Sequence, residues 1–275
     1  MSAPDPDLPP LRDVIRDHGL GARKSLGQHF LLDTNLTDRI ARAAEPLAGV
    51  NVVEIGPGPG GLTRSLLRTD AAGVWAIEKD SRCIDALSQL RDAFPGRFTI
   101  VEADALKTDP ADLTPAPRAI VANLPYNVST VLLLQWLRRA DQYQRMILMF
   151  QKEVADRLTA KPGSKSYGRL SVITQWVCDV RPLFNVSKQA FTPPPKVAST
   201  VVELIPRTAP LADAVFTDLE KVTQAAFGQR RKMLRSSLKP LGIDPAAAGI
   251  SPESRAEDLD VVQFCALARL LAGRP

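Results

Sequence analysis

The sequence contains few of the residues that build disulfide frameworks or transition-metal sites. It has three cysteines, far apart at Cys83, Cys178 and Cys265, and two histidines. An odd number of scattered cysteines argues against disulfides and against a cysteine-rich zinc site, so we expect each cysteine to be a small buried apolar residue. Because no ligand-type residues occur at zinc spacing, we also expect no bound metal.

Long apolar runs are missing as well. No stretch approaches the roughly 18 continuous apolar residues that a membrane-spanning helix needs. The first ten residues include four prolines and two aspartates and lack the apolar segment of a secretory signal. From these absences we expect a cytoplasmic protein that has no membrane partner.

Positive charge is concentrated in one segment towards the C-terminal end. The chain of 275 residues has a net charge of only +5. Between residues 221 and 243 there is no acidic residue, and the basic residues are Lys221, Arg230, Arg231, Lys232, Arg235 and Lys239. Such asymmetry suggests a polyanionic partner, although a solvated helix face would have the same composition. The apolar positions Val222, Ala225 and Ala226 predict that this basic block lies on a helix and faces outward.

Short apolar segments rich in β-formers alternate with helix-like segments over most of the chain. The predicted strands are residues 52–55, 73–78, 98–101, 118–123, 145–150, 177–186 and 199–205. Strands that alternate with helices indicate right-handed βαβ units, and therefore a doubly wound α/β fold with a mostly parallel sheet. After a linker at 206–210 the sequence is helical in character, so we predict one domain at 1–206 and a helical one at 207–275.

A glycine-rich loop follows the first strand of the predicted sheet. Residues 56–61 read Gly-Pro-Gly-Pro-Gly-Gly, and glycines at such a place let the backbone turn tightly and approach a nucleotide-like ligand. The next strand ends at Glu78, where a carboxylate can accept hydrogen bonds from both ribose hydroxyls. Asp104 follows the third strand, where it can accept from an adenine amine or cap a helix. These features fit NAD and S-adenosylmethionine equally well.

The fourth predicted strand ends in the tetrapeptide Asn123-Leu124-Pro125-Tyr126, at the edge of the sheet where open α/β folds bind ligands. The exocyclic amine of adenine is a poor nucleophile, because its lone pair is delocalised into the ring. The Asn123 side-chain oxygen and the Leu124 carbonyl can accept its two N–H groups, and Pro125 has no N–H to compete. The Tyr126 ring can stack on a base swung out of its helix. The alternative is a structural turn.

With these motifs the chain resembles the ribosomal RNA adenine dimethyltransferase family, and most closely its bacterial small-subunit members. The resemblance extends over nearly the full length. Besides the loop and the tetrapeptide, it rests on the segments 24–31, 151–154, 167–172, 191–197 and 229–232.

The resemblance implies that the donor S-adenosylmethionine is bound by His29, Leu31, Gly56, Glu78, Asp104 and Asn123. His29 and Leu31 would lie over its methionine part, although many members have Asn where this chain has His29. The resemblance also implies a catalytic set of Asn123, Leu124, Pro125, Tyr126 and Phe191, in which Tyr126 and Phe191 sandwich the target base. Considered without the family, Phe191 could also be a core aromatic beside a proline turn.

The activity implied is methylation of N6 in two neighbouring adenosines near the 3′ end of small-subunit ribosomal RNA. The partners would be the assembling small subunit and its RNA, held in part by Arg230, Arg231, Lys232 and Arg235, and we expect a monomer. Three alternatives stay open: a non-catalytic assembly factor that keeps the fold, a methyltransferase for large-subunit RNA, and a NAD-dependent oxidoreductase. The last leaves the tetrapeptide without a role.

Overall fold

Runs of β-branched and aliphatic residues form the central sheet in a computed structural model that describes residues 8–21, 28–229 and 231–272. Its strands are β2 (Asn51–Ile55), β3 (Gly73–Glu78), β4 (Phe98–Glu102), β5 (Arg118–Asn123), β6 (Arg145–Gln151), β7 (Cys178–Val186) and β9 (Ser199–Pro206). The strand order is β4-β3-β2-β5-β6-β9-β7. The first five of these strands are parallel, and β9 runs antiparallel to β6.

The strand order reverses direction between β2 and β5. From β2 the chain moves outward to β3 and β4, and from β5 it moves the other way to β6. Because such crossovers are right-handed, a reversal places helices on opposite faces of the sheet. The predicted doubly wound α/β fold is therefore confirmed, and the predicted strands agree with the observed ones to within a residue or two.

The helices of this part of the chain differ in whether a side chain caps their first turn. They are α1 (Leu11–Asp17), α2 (Thr34–Ala43), α3 (Gly61–Leu67), α4 (Ser81–Ala93), α5 (Pro110–Leu113) and α6 (Ser129–Leu137). Asp33 and Asp80 precede α2 and α4, and each side chain accepts a backbone N–H of the first turn. Ile40, Leu66 and Leu87 from three of the helices pack with the sheet into one apolar core.

The chain divides into two compact units: residues to Lys152 with Pro182–Leu204, and Glu153–Arg181 with the residues from Ile205 onward. The second contains α7 (Lys152–Leu158), α8 (Arg169–Val177), α9 (Phe216–Gly228), α10 (Leu234–Ser237) and α11 (Val261–Ala272). Its core includes Trp176 of α8 together with Phe264 of α11. The predicted helical domain at 207–275 thus lacked the segment 153–181.

The three cysteines are buried and free, as expected of small apolar residues. Within the described parts of the chain, no helix combines the length and apolarity needed to cross a membrane. The same residues contain no group of three or more His, Cys, Asp or Glu side chains placed to hold a metal ion.

Candidate active site

The carboxyl ends of the parallel strands open onto one cleft in the first unit. The predicted residues that line it are His29, Leu31, Gly56, Glu78, Asp104, Asn123, Leu124, Pro125 and Tyr126. Phe191 lies elsewhere, in the apolar core of this unit. The fold therefore brings together every donor-side residue that the sequence predicted, along with the whole tetrapeptide.

The glycine-rich loop lets two segments approach the cleft closely. Gly56 has a φ of +64°, and its N–H donates to the carbonyl of Ile77 at 2.9 Å, so the loop stays on the edge of the sheet. A Cβ atom added to Gly61 would lie 2.4 Å from the carbonyl oxygen of Leu31. Only glycine at this position lets the short strand β1 (Phe30–Leu31) pass over the loop.

Glu78 lies at the end of β3 with 6% of its surface exposed. Its Oε1 accepts the N–H groups of Lys79 at 2.8 Å and Asp80 at 2.9 Å, and its Oε2 accepts that of Gly58 at 3.2 Å. A carboxylate offers about four acceptor positions, so these bonds leave one open rather than the two that two ribose hydroxyls require. Burial raises the pKa of Glu78, and the three backbone bonds oppose that shift.

Two further acids stand near Glu78. Glu54 is buried and accepts a hydrogen bond from the Thr63 hydroxyl at 2.6 Å. Burial raises the pKa of Glu54 to about 8, so this carboxyl is largely protonated at neutral pH and adds little negative charge to the cleft. Asp104 accepts the backbone N–H of Leu106 at 3.0 Å through Oδ1. This contact closes a turn and caps no helix, since α5 begins only at Pro110.

The residues at this end of the cleft suit a nucleoside that carries an amino-acid chain. Glu78 and Asp104 supply carboxylate acceptors at neighbouring strand ends, which suits ribose hydroxyls and an adenine amine. The cleft continues past Leu31 and Gly56 to the tetrapeptide, so a ligand held by the two acids can extend towards Asn123.

Asn123 has its amide orientation set by the backbone of the N-terminal segment. Its Nδ2 donates to the carbonyl oxygen of His29 at 3.2 Å. Because a carbonyl oxygen only accepts hydrogen bonds, the Nδ2 group must face it, and the Oδ1 atom keeps its acceptor positions for another partner. Leu124 is buried, and among the described residues none donates a hydrogen bond to its carbonyl.

Tyr126 is anchored by a residue that sequence reasoning missed. Its hydroxyl lies 2.6 Å from the Oγ atom of Ser199, which is fully buried at the start of β9. The two residues are 73 positions apart in the sequence, and no local pattern links them. The bond anchors the far end of the Tyr126 side chain. Burial raises the pKa of Tyr126, so the ring carries a neutral hydroxyl at physiological pH.

Phe191 belongs to a second, two-stranded ladder in which β8 (Phe191–Thr192) pairs antiparallel with β1. Only 2% of its surface is exposed, so the core-aromatic alternative describes its present environment. Its ring contacts that of His29 edge-on, with 6.4 Å between centroids, while the His29 ring is 5.6 Å from that of Tyr126. A base could stack on Phe191 only after the β8 segment shifts.

The basic block lies in the second unit, and the structure corrects the prediction that Arg231 and Lys232 are on a helix. Helix α9 ends at Gly228, and the short α10 begins only at Leu234. Arg231 and Lys232 are exposed on the connection between them, and Arg230 lies outside the described residues. Arg235 is on α10, 58% exposed, and 3.8 Å from a carboxylate oxygen of Glu253. The apolar periodicity that predicts α9 does not continue into this connection.

The chain is similar to known proteins along almost its entire length. A curated "Ribosomal RNA small subunit methyltransferase A" from Paramagnetospirillum magneticum is 64% identical over 271 residues, which cover 98% of this chain and 96% of that protein. Among solved structures, a dimethyladenosine transferase from Plasmodium falciparum is 28% identical, with a TM-score of 0.74 and coverage of 87% and 96% of the two chains. The 23S rRNA methyltransferase ErmE is also 28% identical, with a TM-score of 0.68 and coverage of 88% and 99%.

These similarities agree with the arrangement of the cleft. The family of ribosomal RNA adenine dimethylases matches residues 19–273, a range that includes the cleft residues and most of the second unit. By its sequence, its fold and the extent of that match, the chain belongs to the ribosomal RNA adenine dimethylase family.

Proposed function

We propose that this protein transfers methyl groups to N6 of two adjacent adenosines near the 3′ end of small-subunit ribosomal RNA and forms N6,N6-dimethyladenosine. The methyl donor is S-adenosylmethionine, as predicted from the sequence. The observation that carries the proposal is the Asn123 amide, which lines a cleft equipped for a nucleoside donor and whose Nδ2 is bound to the His29 carbonyl, so that Oδ1 is the atom left to accept from a substrate. We further propose that the enzyme acts as a monomer in the cytoplasm, on the assembling subunit.

On the donor side, Glu78 would accept a ribose hydroxyl and Asp104 the adenine amine. The backbone near Gly56 and Leu31, with the neighbouring His29, would hold the methionine part. The bound donor supplies a methyl group already activated by its sulfonium charge. The residues therefore need to bind and orient the donor and keep water out.

On the acceptor side, Asn123 Oδ1 and the Leu124 carbonyl would each accept one N–H of the target amine. Two acceptors on one amine favour a pyramidal nitrogen whose lone pair faces the methyl group, and this stabilises the transition state more than the ground state. Tyr126, held by Ser199 at 2.6 Å, would offer a ring face to the flipped base, which is worth ~1–3 kcal/mol. Phe191 would complete the sandwich once its segment moves.

The choice of substrate rests on the relatives. The protein from P. magneticum, 64% identical, is named for the small ribosomal subunit, whereas the 23S rRNA methyltransferase ErmE is only 28% identical. A non-catalytic assembly factor would have no use for an intact donor cleft beside the tetrapeptide. The name of the 64% identical relative therefore favours a small-subunit enzyme.

Mass spectrometry of ribosomal RNA tests this proposal directly. Small subunits that lack the modification are incubated with the enzyme and S-adenosylmethionine, and large subunits are treated in parallel. We expect two neighbouring adenosines near the 3′ end of the small-subunit RNA to gain two methyl groups each. Methylation of the large-subunit RNA alone, or of neither RNA, would contradict the proposal.

The exposed side chains of Arg231, Lys232 and Arg235 suggest a second result, for RNA binding. We propose that Arg230, Arg231, Lys232 and Arg235 contact phosphates. Replacing Arg231 and Lys232 by alanine should weaken subunit binding and flatten its dependence on salt, because each lost phosphate contact removes about 0.7–0.9 from the slope of log affinity against log salt concentration. Filter binding at several salt concentrations measures the slope.

A matched control variant removes two positive charges from the first unit instead. Arg91 and Lys107 are both exposed there, and their replacement by alanine should leave the slope nearly unchanged. Donor affinity should be the same in both double variants, since neither set lines the cleft. An unaltered slope in the Arg231 and Lys232 variant would assign these residues to a solubilising surface.

A further inference from the structure

Gln151 is the last residue of β6 and opens the segment 151–154, which has no role in the proposed function so far. In the ladder between β6 and β9 it pairs directly with Ser199. The side chains of directly opposed residues project from the same face of a sheet, so Gln151 and Ser199 share one face. Because the Ser199 hydroxyl lies 2.6 Å from that of Tyr126, the Gln151 side chain projects from the face on which Tyr126 is anchored.

Asn123 belongs to the same face. It pairs with Met149 in the parallel ladder between β5 and β6, and Gln151 lies two residues beyond Met149, so the three side chains project in the same direction. With strands ~4.8 Å apart and a rise of ~3.3 Å per residue, the Cα atoms of Asn123 and Gln151 are about 8 Å apart. A base whose amine binds Asn123 is therefore within reach of the Gln151 side chain.

The carboxamide group of Gln151 is available to a ligand. The side chain is half-buried, and no described residue forms a hydrogen bond with its carboxamide. The next residue, Lys152, donates its backbone N–H to the carbonyl of Ala198 at 2.9 Å, which holds the end of the strand in place. Gln151 does not line the donor cleft, so its N–H groups and its oxygen face the acceptor side alone.

We propose that Gln151 recognises the target adenine by donating an Nε2 hydrogen to ring atom N1. Enzymes that act on flipped bases read the Watson–Crick edge by hydrogen bonds, and N1 is the acceptor next to the reacting amine on that edge. Guanine has a hydrogen at N1, so a donor at this place favours adenine. The inference rests on the proposed function and adds a residue that selects the base to those that orient its amine.

The test compares Gln151→Met, which keeps the length of the side chain and removes its hydrogen-bonding groups, with Gln144→Met. Gln144 is exposed and directly precedes β6 at the opposite end of the strand. Gln151→Met should lower kcat/KM for the small subunit by about three- to tenfold, the range expected for one hydrogen bond. Gln144→Met should leave kcat/KM unchanged. Affinity for S-adenosylhomocysteine, measured by calorimetry, should stay close to that of wild type in both variants.

Reconstituted subunits with 1-deazaadenosine at the target positions separate base recognition from a structural effect. This analogue has a C–H in place of N1, and its penalty on kcat/KM should be about three- to tenfold smaller in Gln151→Met than in wild type or Gln144→Met, because that variant has no N1 contact to lose. 7-Deazaadenosine keeps N1 and should act equally on all three proteins.

Equal penalties for 1-deazaadenosine in wild type and Gln151→Met would overturn the proposal. A loss of S-adenosylhomocysteine affinity in Gln151→Met that matches its loss of kcat/KM would overturn it as well. If wild type methylates no unmodified subunits, the proposed function fails and the assignment of Gln151 fails with it. If wild type methylates them and Gln151→Met does so equally well, only the assignment of Gln151 fails.

Discussion

Asn123→Ala is expected to slow methyl transfer by about 100-fold or more, while the affinities for the donor and the subunit change far less. The side-chain oxygen of Asn123 would accept an N–H of the target amine, and this bond strengthens as the nitrogen becomes pyramidal. The amide cannot rotate freely to serve otherwise, because its Nδ2 donates to the His29 carbonyl at 3.2 Å. Single-turnover kinetics with saturating donor and subunit isolate the chemical step from binding.

Asn51 offers a matched control for this substitution. It is the first residue of β2, at the end of the strand that faces away from the cleft. Its Nδ2 also donates to a backbone carbonyl, that of Pro115, at 3.0 Å. Asn51→Ala therefore removes the same kind of bond far from the cleft, and the single-turnover rate should not change. If Asn123→Ala methylated bound subunits at the wild-type rate, the tetrapeptide would be a structural turn.

The sheet could be predicted from the sequence because its strands carry a strong local signal. Strands of a parallel sheet are covered on both faces, so they read as continuous apolar runs rather than as alternating ones. Residues 119–122 of β5 and 146–150 of β6 are all buried, and each run is bounded by polar residues. The positions of the glycine-rich loop and of the acidic residues could then be predicted as well, because these residues come at or directly after the ends of the predicted strands.

The limits of the second unit could not be predicted in the same way. Residues 153–181 lie between two strands of the sheet, and linear order alone assigns them to the first domain. Their assignment depends on long-range contacts: the Trp176 indole donates to the Ala212 carbonyl at 2.7 Å, and Arg169 pairs with Glu220 at 3.0 Å. Composition and periodicity do not encode such contacts.

The acceptor side of the site shows the same division between local and distant signals. Asn123 and Tyr126 could be identified because their tetrapeptide has a chemical meaning of its own. The Ser199 hydroxyl that anchors Tyr126, and the Pro193 carbonyl that binds His29, belong to segments joined to it only by the fold. The burial of Phe191 could not be predicted either, because an aromatic beside prolines fits a core and a base-binding site equally well.

Glu78→Ala is expected to weaken affinity for S-adenosylhomocysteine by about 10- to 150-fold, since a hydrogen bond to a charged acceptor contributes ~1.5–3 kcal/mol. Isothermal titration of the folded variant measures this loss. Glu102 provides the control, because it ends the adjacent strand β4 in register with Glu78 and is exposed. Glu102→Ala removes one carboxylate at the same edge of the sheet and should keep wild-type affinity.

The loss of affinity in Glu78→Ala has two sources, because the same carboxylate also holds the Gly58 N–H at 3.2 Å. Analogues of S-adenosylhomocysteine that lack either the 2′- or the 3′-hydroxyl separate a ribose contact from an effect on the loop. With one acceptor position open on Glu78, only one of the two deletions should couple to it. That deletion should weaken binding to wild type and have almost no further effect in Glu78→Ala, whereas the other deletion should act equally on both proteins. If both deletions were additive with the substitution, Glu78 would act through the glycine-rich loop alone and a different residue would bind the ribose.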